Sequence, residues 1–146
     1  MKPFRFRLEK VLEWRRLELA REEAQFRQQT AALAAIDRSR AELEAGGIRA
    51  ESEIRQMRGV AGSELCALDA YRLEVRRGQA RLAEKRRECE RLVAERQRAL
   101  VEAQRRCRLL ERLKERRLDE WKHELDHELQ ELGQESFLAR WNRERS

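Results

Sequence analysis

The chain has 146 residues, 42% charged and 40% hydrophobic, with 5% aromatic, a net charge of +6 and a mean hydropathy of −0.94. So much charge on so few aromatics excludes an ordinary layered globule, and no apolar run approaches the length of a membrane span or a secretion signal. Arg, Glu, Leu and Ala dominate, as in long helices and coiled coils, and a regular apolar seam argues against disorder.

Met1 to Phe6 reads as a short leader, with the only proline, Pro3, where a helix can begin. The first helix is predicted over about residues 4–57. Leu12, Leu19, Phe26, Leu33 and Ile54 share one heptad position; Leu8, Ile36, Leu43, Ala50 and Met57 share the other. Arg40 and Gly47 interrupt the first seam, and Arg15, Glu22 and Gln29 interrupt the second. Each glycine of the Gly46-Gly47 pair costs roughly 1 kcal/mol relative to alanine, which predicts a bend or weak point there.

Residues 58–62, Arg-Gly-Val-Ala-Gly, form the one clear turn. Gly59 suits a left-handed end to the first helix, Ser63 suits a cap on the second, and Glu64 falls in the second helix's first turn. A connection this short sends the chain back along itself. The predicted fold is all-α: an antiparallel two-helix coiled-coil hairpin with the second helix longer than the first, in a single domain over residues 1–146.

The second helix is predicted over about residues 63–132, with no proline and only Gly78 inside it. At about 1.5 Å per residue it would be on the order of 100 Å long. Leu68, Val75, Leu82 and Cys89 recur every seven residues, with Tyr71, Leu92, Ala99 and Leu113 close to a second seam. With the turn near residue 60, residue i should face roughly residue 120 − i, so the first helix is used up near residue 116. There the spacing changes: Cys107 and Leu118, like Leu110 and Trp121, are eleven apart. Leu118, Trp121, Leu125, Leu129 and Leu132 then form a stripe that needs a partner from elsewhere, or packs on Phe4 and Phe6, or dimerises. Gly133 is expected to end or bend the helix, leaving Phe137, Leu138 and Trp141 on a tail over residues 133–146.

Charge is uneven. Residues 72–117 carry 17 Arg or Lys against 8 Glu, and residues 119–135 carry 7 acids against Lys122 alone. Residues 1–71 are near balance, with 13 basic and 12 acidic groups. Most of this reads as a solvated surface with i,i+4 pairs, such as Glu84 and Glu88 facing Arg87 and Arg91. Cys66, Cys89 and Cys107 are too widely spaced for a disulfide framework or a metal knuckle, which points to a reduced, cytosolic setting.

His123-Glu124-Leu125-Asp126-His127 matches the H-E-x-x-H pattern of zinc peptidases. A catalytic zinc needs a third protein ligand, and these are the only two histidines; no cleft or substrate-binding strand is foreseeable on two helices. The match is read as coincidental, with no metal, no cofactor and no catalytic residue expected.

Phe4-Arg5-Phe6-Arg7-Leu8-Glu9-Lys10-Val11-Leu12 resembles the opening of the FliJ family, the small coiled-coil component of the bacterial flagellar type III export apparatus. Leu109-Leu110-Glu111-Arg112-Leu113-Lys114-Glu115-Arg116-Arg117, then Glu120-Trp121, Glu124, Asp126 and Glu128, resembles its closing half. The resemblance implies a non-enzymatic protein like the central stalk of rotary ATPases. Such a protein binds the hexameric export ATPase and promotes its assembly and activity. It also contacts the cytoplasmic part of the export gate, is linked to export chaperones, and stays cytoplasmic beside the membrane-embedded apparatus. Injectisome stalk proteins are related. On this basis Trp14, Leu118, Trp121, Leu125 and Leu129 are expected to engage the ATPase, and Ile36, Leu43, Tyr71, Val75 and Leu82 the gate. Neither a small-molecule substrate nor nucleic acid is expected. The alternatives are a basic coiled coil that binds nucleic acid and a homodimeric spacer.

Overall fold

A computed structural model describes all residues, Met1–Ser146. Two helices make up the chain, α1 (Glu9–Gln56) and α2 (Gly62–Arg145), with no strand, and they form the expected hairpin with a longer second helix. Contacts cluster into two units along the hairpin. The terminal unit holds Met1–Ala20 and Glu102–Ser146, and the hairpin unit holds Arg21–Val101. Side chains in a helix pair reach only partners one or two turns away, so nothing ties distant levels together.

Cross-helix partners follow the expected register with a small offset. In the hairpin unit, paired numbers add up to between 117 (Gly46 with Tyr71) and 123 (Asp37 with Arg86). In the terminal unit they run from 123 (Glu9 with Lys114) to 127 (Arg16 with Glu111).

The α1 seam is the predicted one, and at two of its polar interruptions α2 side chains bond the backbone, while Arg15 pairs with Glu18 on its own helix and Glu22 Oε2 is buried without a partner. The amide of Gln79 donates to the Arg40 carbonyl at 3.4 Å, and the Cys89 thiol to the Gln29 carbonyl at 3.7 Å. Gly47 lies against Val75, whose methyl carbons would stand 3.8 and 3.9 Å from a Cβ there. A Cβ on Gly46 would come 3.0 Å from the Tyr71 Oη, and one on Gly78 only 2.7 Å from Leu43 Cδ2. The glycine pair therefore lets α2 approach, and α1 runs through it without a break.

On α2 the second seam is carried by Gln79, Arg86, Val93 and Leu100, with Leu92 and Ala99 half-buried beside it and Tyr71 exposed. A seam arginine needs an acid across from it. Arg86 Nε binds Asp37 at 2.7 Å, and its guanidinium also binds Glu90. The Arg86 bond, followed by the surrounding guanidinium charge, holds the Asp37 carboxyl below its ordinary 3.8. Stability from this carboxylate is therefore complete above the ordinary value and lost as pH falls through the lower folded one. Both groups are well solvated, so the effect is small. Asp37→Asn should lower the melting temperature slightly at neutral pH, and the difference from the parent should vanish in strong acid.

Several boundaries differ from the sequence reading. The first helix begins at Glu9, not near Phe4, because the leader crosses to α2 before turning at the Glu9 N–H to Phe6 carbonyl bond of 3.1 Å. It ends at Gln56, one residue before the expected Met57, through a tightened turn in which Met57 N donates to the Ile54 carbonyl at 3.2 Å. No glycine has a positive φ, so Gly59 supplies no left-handed cap; the tightened turn makes one unnecessary. The second helix starts at Gly62, before Ser63, and its N-terminus is closed by Glu64, whose carboxylate accepts from the Ala61 N–H at 3.4 Å. The expected tail is helical: α2 passes through Gly133 to Arg145. Phe137 and Trp141, one turn apart, stack at 6.4 Å, Arg145 lies over the Trp141 ring, and Ser146 Oγ donates to the Asn142 carbonyl. These local contacts, with helix formers on both sides, outweigh one internal glycine.

Candidate partner-binding site

The terminal unit contains both the deepest packing and most of the exposed large hydrophobic side chains. Leu12, at 0% exposure, is the one fully buried large side chain, and Ala103 and Cys107 are buried with it in the same unit. Ion pairs flank Leu12 on its own helix: Glu9 with Lys114 at 2.8 Å and Arg16 with Glu111 at 3.5 Å. Beyond Lys114 the buried row steps by four twice, 110–114–118, before returning to 121 and 125. That is the eleven-residue spacing foreseen from the sequence, and it shifts the seam around the helix.

The stripe past this point divides in two. Leu118, Trp121 and Leu125 are half-buried, whereas Leu129 and Leu132 are each 58% exposed and nothing after Leu125 is covered. The leader causes the difference at Trp121. Its indole N–H donates to the Lys2 carbonyl at 3.1 Å, and Phe4 meets its ring at 6.1 Å between centroids and 54° between planes. Met1–Leu8 lies over Leu113, Arg117, Glu120, Trp121 and Glu124, bounding an open groove of about 1120 Å³. So the stripe does pack on the leader at its first turns, and runs free afterwards.

Trp14, grouped with that stripe in the sequence reading, is placed elsewhere. The cross-helix register sets it opposite residues near 110, and the Arg15 guanidinium lies 4.7 Å over its ring. Glu18 binds Arg106 at 3.4 Å, which fixes one edge of the helix pair. Trp14, one turn before Glu18, and Leu109, one turn after Arg106, lie on that same edge, and both are exposed. This lateral patch was missed because an edge is defined only once the two helices are in register.

The residues expected to meet a gate are spent within the fold. Ile36, Leu43, Val75 and Leu82 are half-buried in the seam of the hairpin unit, with Val75 on Gly47 and Leu43 on Gly78. Of the five, Tyr71, at 38% exposure, is the most accessible. Heptad spacing marks what faces the other helix and therefore selects residues that packing removes from solvent.

His127 Nδ1 lies 3.5 Å from Glu131, and no group of three His, Cys, Asp or Glu side chains is placed to hold a metal ion. Cys66 is exposed, while Cys89 and Cys107 are buried. Burial, reinforced by the nearby Glu111 carboxylate, pushes the Cys107 thiol above its ordinary value, disfavouring the reactive thiolate. An aromatic disulfide reagent should therefore modify one thiol quickly and two slowly in the native protein, and all three quickly in denaturant.

No family model matches the chain, and neither do the curated proteins or the solved structures compared with it. No helix is long and apolar enough to cross a membrane.

Proposed function

We propose that the protein is a non-enzymatic stalk of a type III protein export apparatus, binding a hexameric export ATPase and promoting its assembly and turnover. The observation that carries this reading is the uncovered end of α2, where Leu129 and Leu132 continue a stripe that α1 no longer covers. A long helix pair with an unsatisfied apolar end suits insertion into a ring, and the Phe-Arg-Phe-Arg-Leu opening resembles the FliJ family. Leu125 and Leu129 are the proposed ATPase anchors, with Leu118 and Trp121 next along the same face. Contact with the export gate and with export chaperones belongs to the same proposal, as does a cytoplasmic location beside the apparatus; the gate surface would include Tyr71. The test is the turnover of the cognate ATPase below its assembly concentration. A several-fold rise on adding the protein supports the stalk reading, and no change at saturation removes it.

One observation favours a second reading. Arg105, Arg108, Arg112 and Arg116 recur at spacings of three and four on α2, all are exposed, and none forms an ion pair, unlike Arg106 and Lys114 between them and Arg117 just beyond. A row of free guanidinium groups suits a phosphate backbone. Nucleic-acid binding through this row would weaken steeply with salt and be lost when the four are changed to glutamine.

A further inference from the structure

The leader holds Trp121 by few bonds. One backbone carbonyl, that of Lys2, accepts from the indole, and one ring, that of Phe4, packs on it. Lys2, Arg5 and Arg7 form no ion pair, although the helix beneath carries Glu120 and Glu124; Glu120 is taken by Arg117 at 3.1 Å, and Glu124 is unpaired. Attraction between this acid-free basic segment and the acidic helix is therefore diffuse and not locked into specific pairs. The segment's far end is fixed by contrast. Glu9, where α1 begins, is tied back to Phe6 through its N–H and to Lys114 through its carboxylate. The result is a short strap with a firm root and a lightly held tip. Under the tip lies Trp121, in the middle of the row Leu118, Trp121, Leu125 and Leu129.

We propose that Met1–Phe6 is a displaceable strap that occupies the Trp121 face in cis, so that a partner docking along this row must first expel it. The face accepts an extended basic segment with an aromatic side chain, because that is the chemistry of its resident occupant. Release exposes the indole N–H and one ring face beside Leu118 and Leu125, extending the free surface from Leu129 back toward the seam. The identity of the partner rests on the stalk reading; the masking of Trp121 does not.

The test uses the full chain with Trp14→Phe and Trp141→Phe, both exposed sites, leaving Trp121 as the sole indole. Acrylamide quenching of its fluorescence should rise several-fold when residues 1–7 are removed, and partly with Phe4→Ala in the intact chain. A synthetic peptide matching Met1–Leu8, added to the shortened chain, should restore protection. Circular dichroism before and after verifies that the helices persist. Equal quenching with and without the leader, in chains of equal helicity, overturns the strap. The second arm measures affinity for the export ATPase. Several-fold tighter binding without the leader supports competition, whereas equal or weaker binding overturns it. If neither chain binds the ATPase, the stalk reading fails, and quenching with the added peptide decides the strap by itself.

Discussion

Leu12→Ala is expected to cost about 2–5 kcal/mol and to loosen the terminal unit before the hairpin unit. Leu12 is completely buried, and its removal leaves a void bounded by two ion pairs that cannot collapse into it: Glu9 with Lys114 and Arg16 with Glu111. The core is thin, its other buried residues being Leu68, Cys89, Ala103 and Cys107, so few contacts take up the loss. Against a typical total stability of about 5–15 kcal/mol, the loss is a large fraction. Contacts fall into two units, so opening should start where the void is. Native-state hydrogen exchange checks this. Amides from Leu12 to Leu19 should exchange much faster in the variant, while those from Leu82 to Cys89 keep their protection. Leu17→Ala, on the solvent side of the same helix at 68% exposure, should stay within about 0.5 kcal/mol of the parent. Uniform acceleration along the chain would mean that the two units open together.

The heptads of α1 and the single short connection were enough to read the hairpin, because a narrow apolar stripe on so charged a chain has few other ways to be buried. The polar residues inside those heptads were legible only as interruptions. The Gln79 amide reaches the backbone carbonyl of Arg40, and what places Arg86 in the seam is Asp37, each supplied by the other helix at a level that only register determines. Glycines misled in two directions. Gly46 and Gly47 read as a weak point but sit, like Gly78, where the partner helix needs room, and Gly59 read as a left-handed cap that a tightened last turn made unnecessary. Gly133 has no close neighbour to accommodate; it is simply carried by good helix formers on either side. In the candidate site, Leu125 and Leu129 could be chosen from the change of spacing alone. The covering of Trp121 was among the alternatives, as packing on Phe4 and Phe6; what the sequence did not show is that the leader lies across α2 instead of opening α1, since Pro3 suggested a helix start.

The largest functional effect is expected at the free end of α2. Leu125→Ala with Leu129→Ala should abolish stimulation of the export ATPase while leaving the helical circular dichroism nearly unchanged. Leu129 is 58% exposed and Leu125 lies at the edge of coverage, so neither carries much of the fold. Each leucine buried in a partner's pocket contributes about 2 kcal/mol, and losing two weakens binding by on the order of 1000-fold. Trp14→Ala separates this surface from the lateral patch, because Trp14 stands at the level of residues near 110, about three turns of α2 before Trp121. It should leave stimulation intact. Turnover is measured with each variant at concentrations bracketing the parent's half-maximal effect. Undiminished stimulation by the leucine variant would sink the assignment of the α2 end. Loss with Trp14→Ala alone would move the docking surface to the edge marked by Glu18 and Arg106. The two surfaces differ in charge as well as place. The α2 end is acidic through Glu124, Glu128, Glu131 and Glu135, while at the lateral patch Arg15 and Arg106 are both paired with Glu18. A basic partner is therefore favoured at the α2 end, and added salt should weaken its docking there.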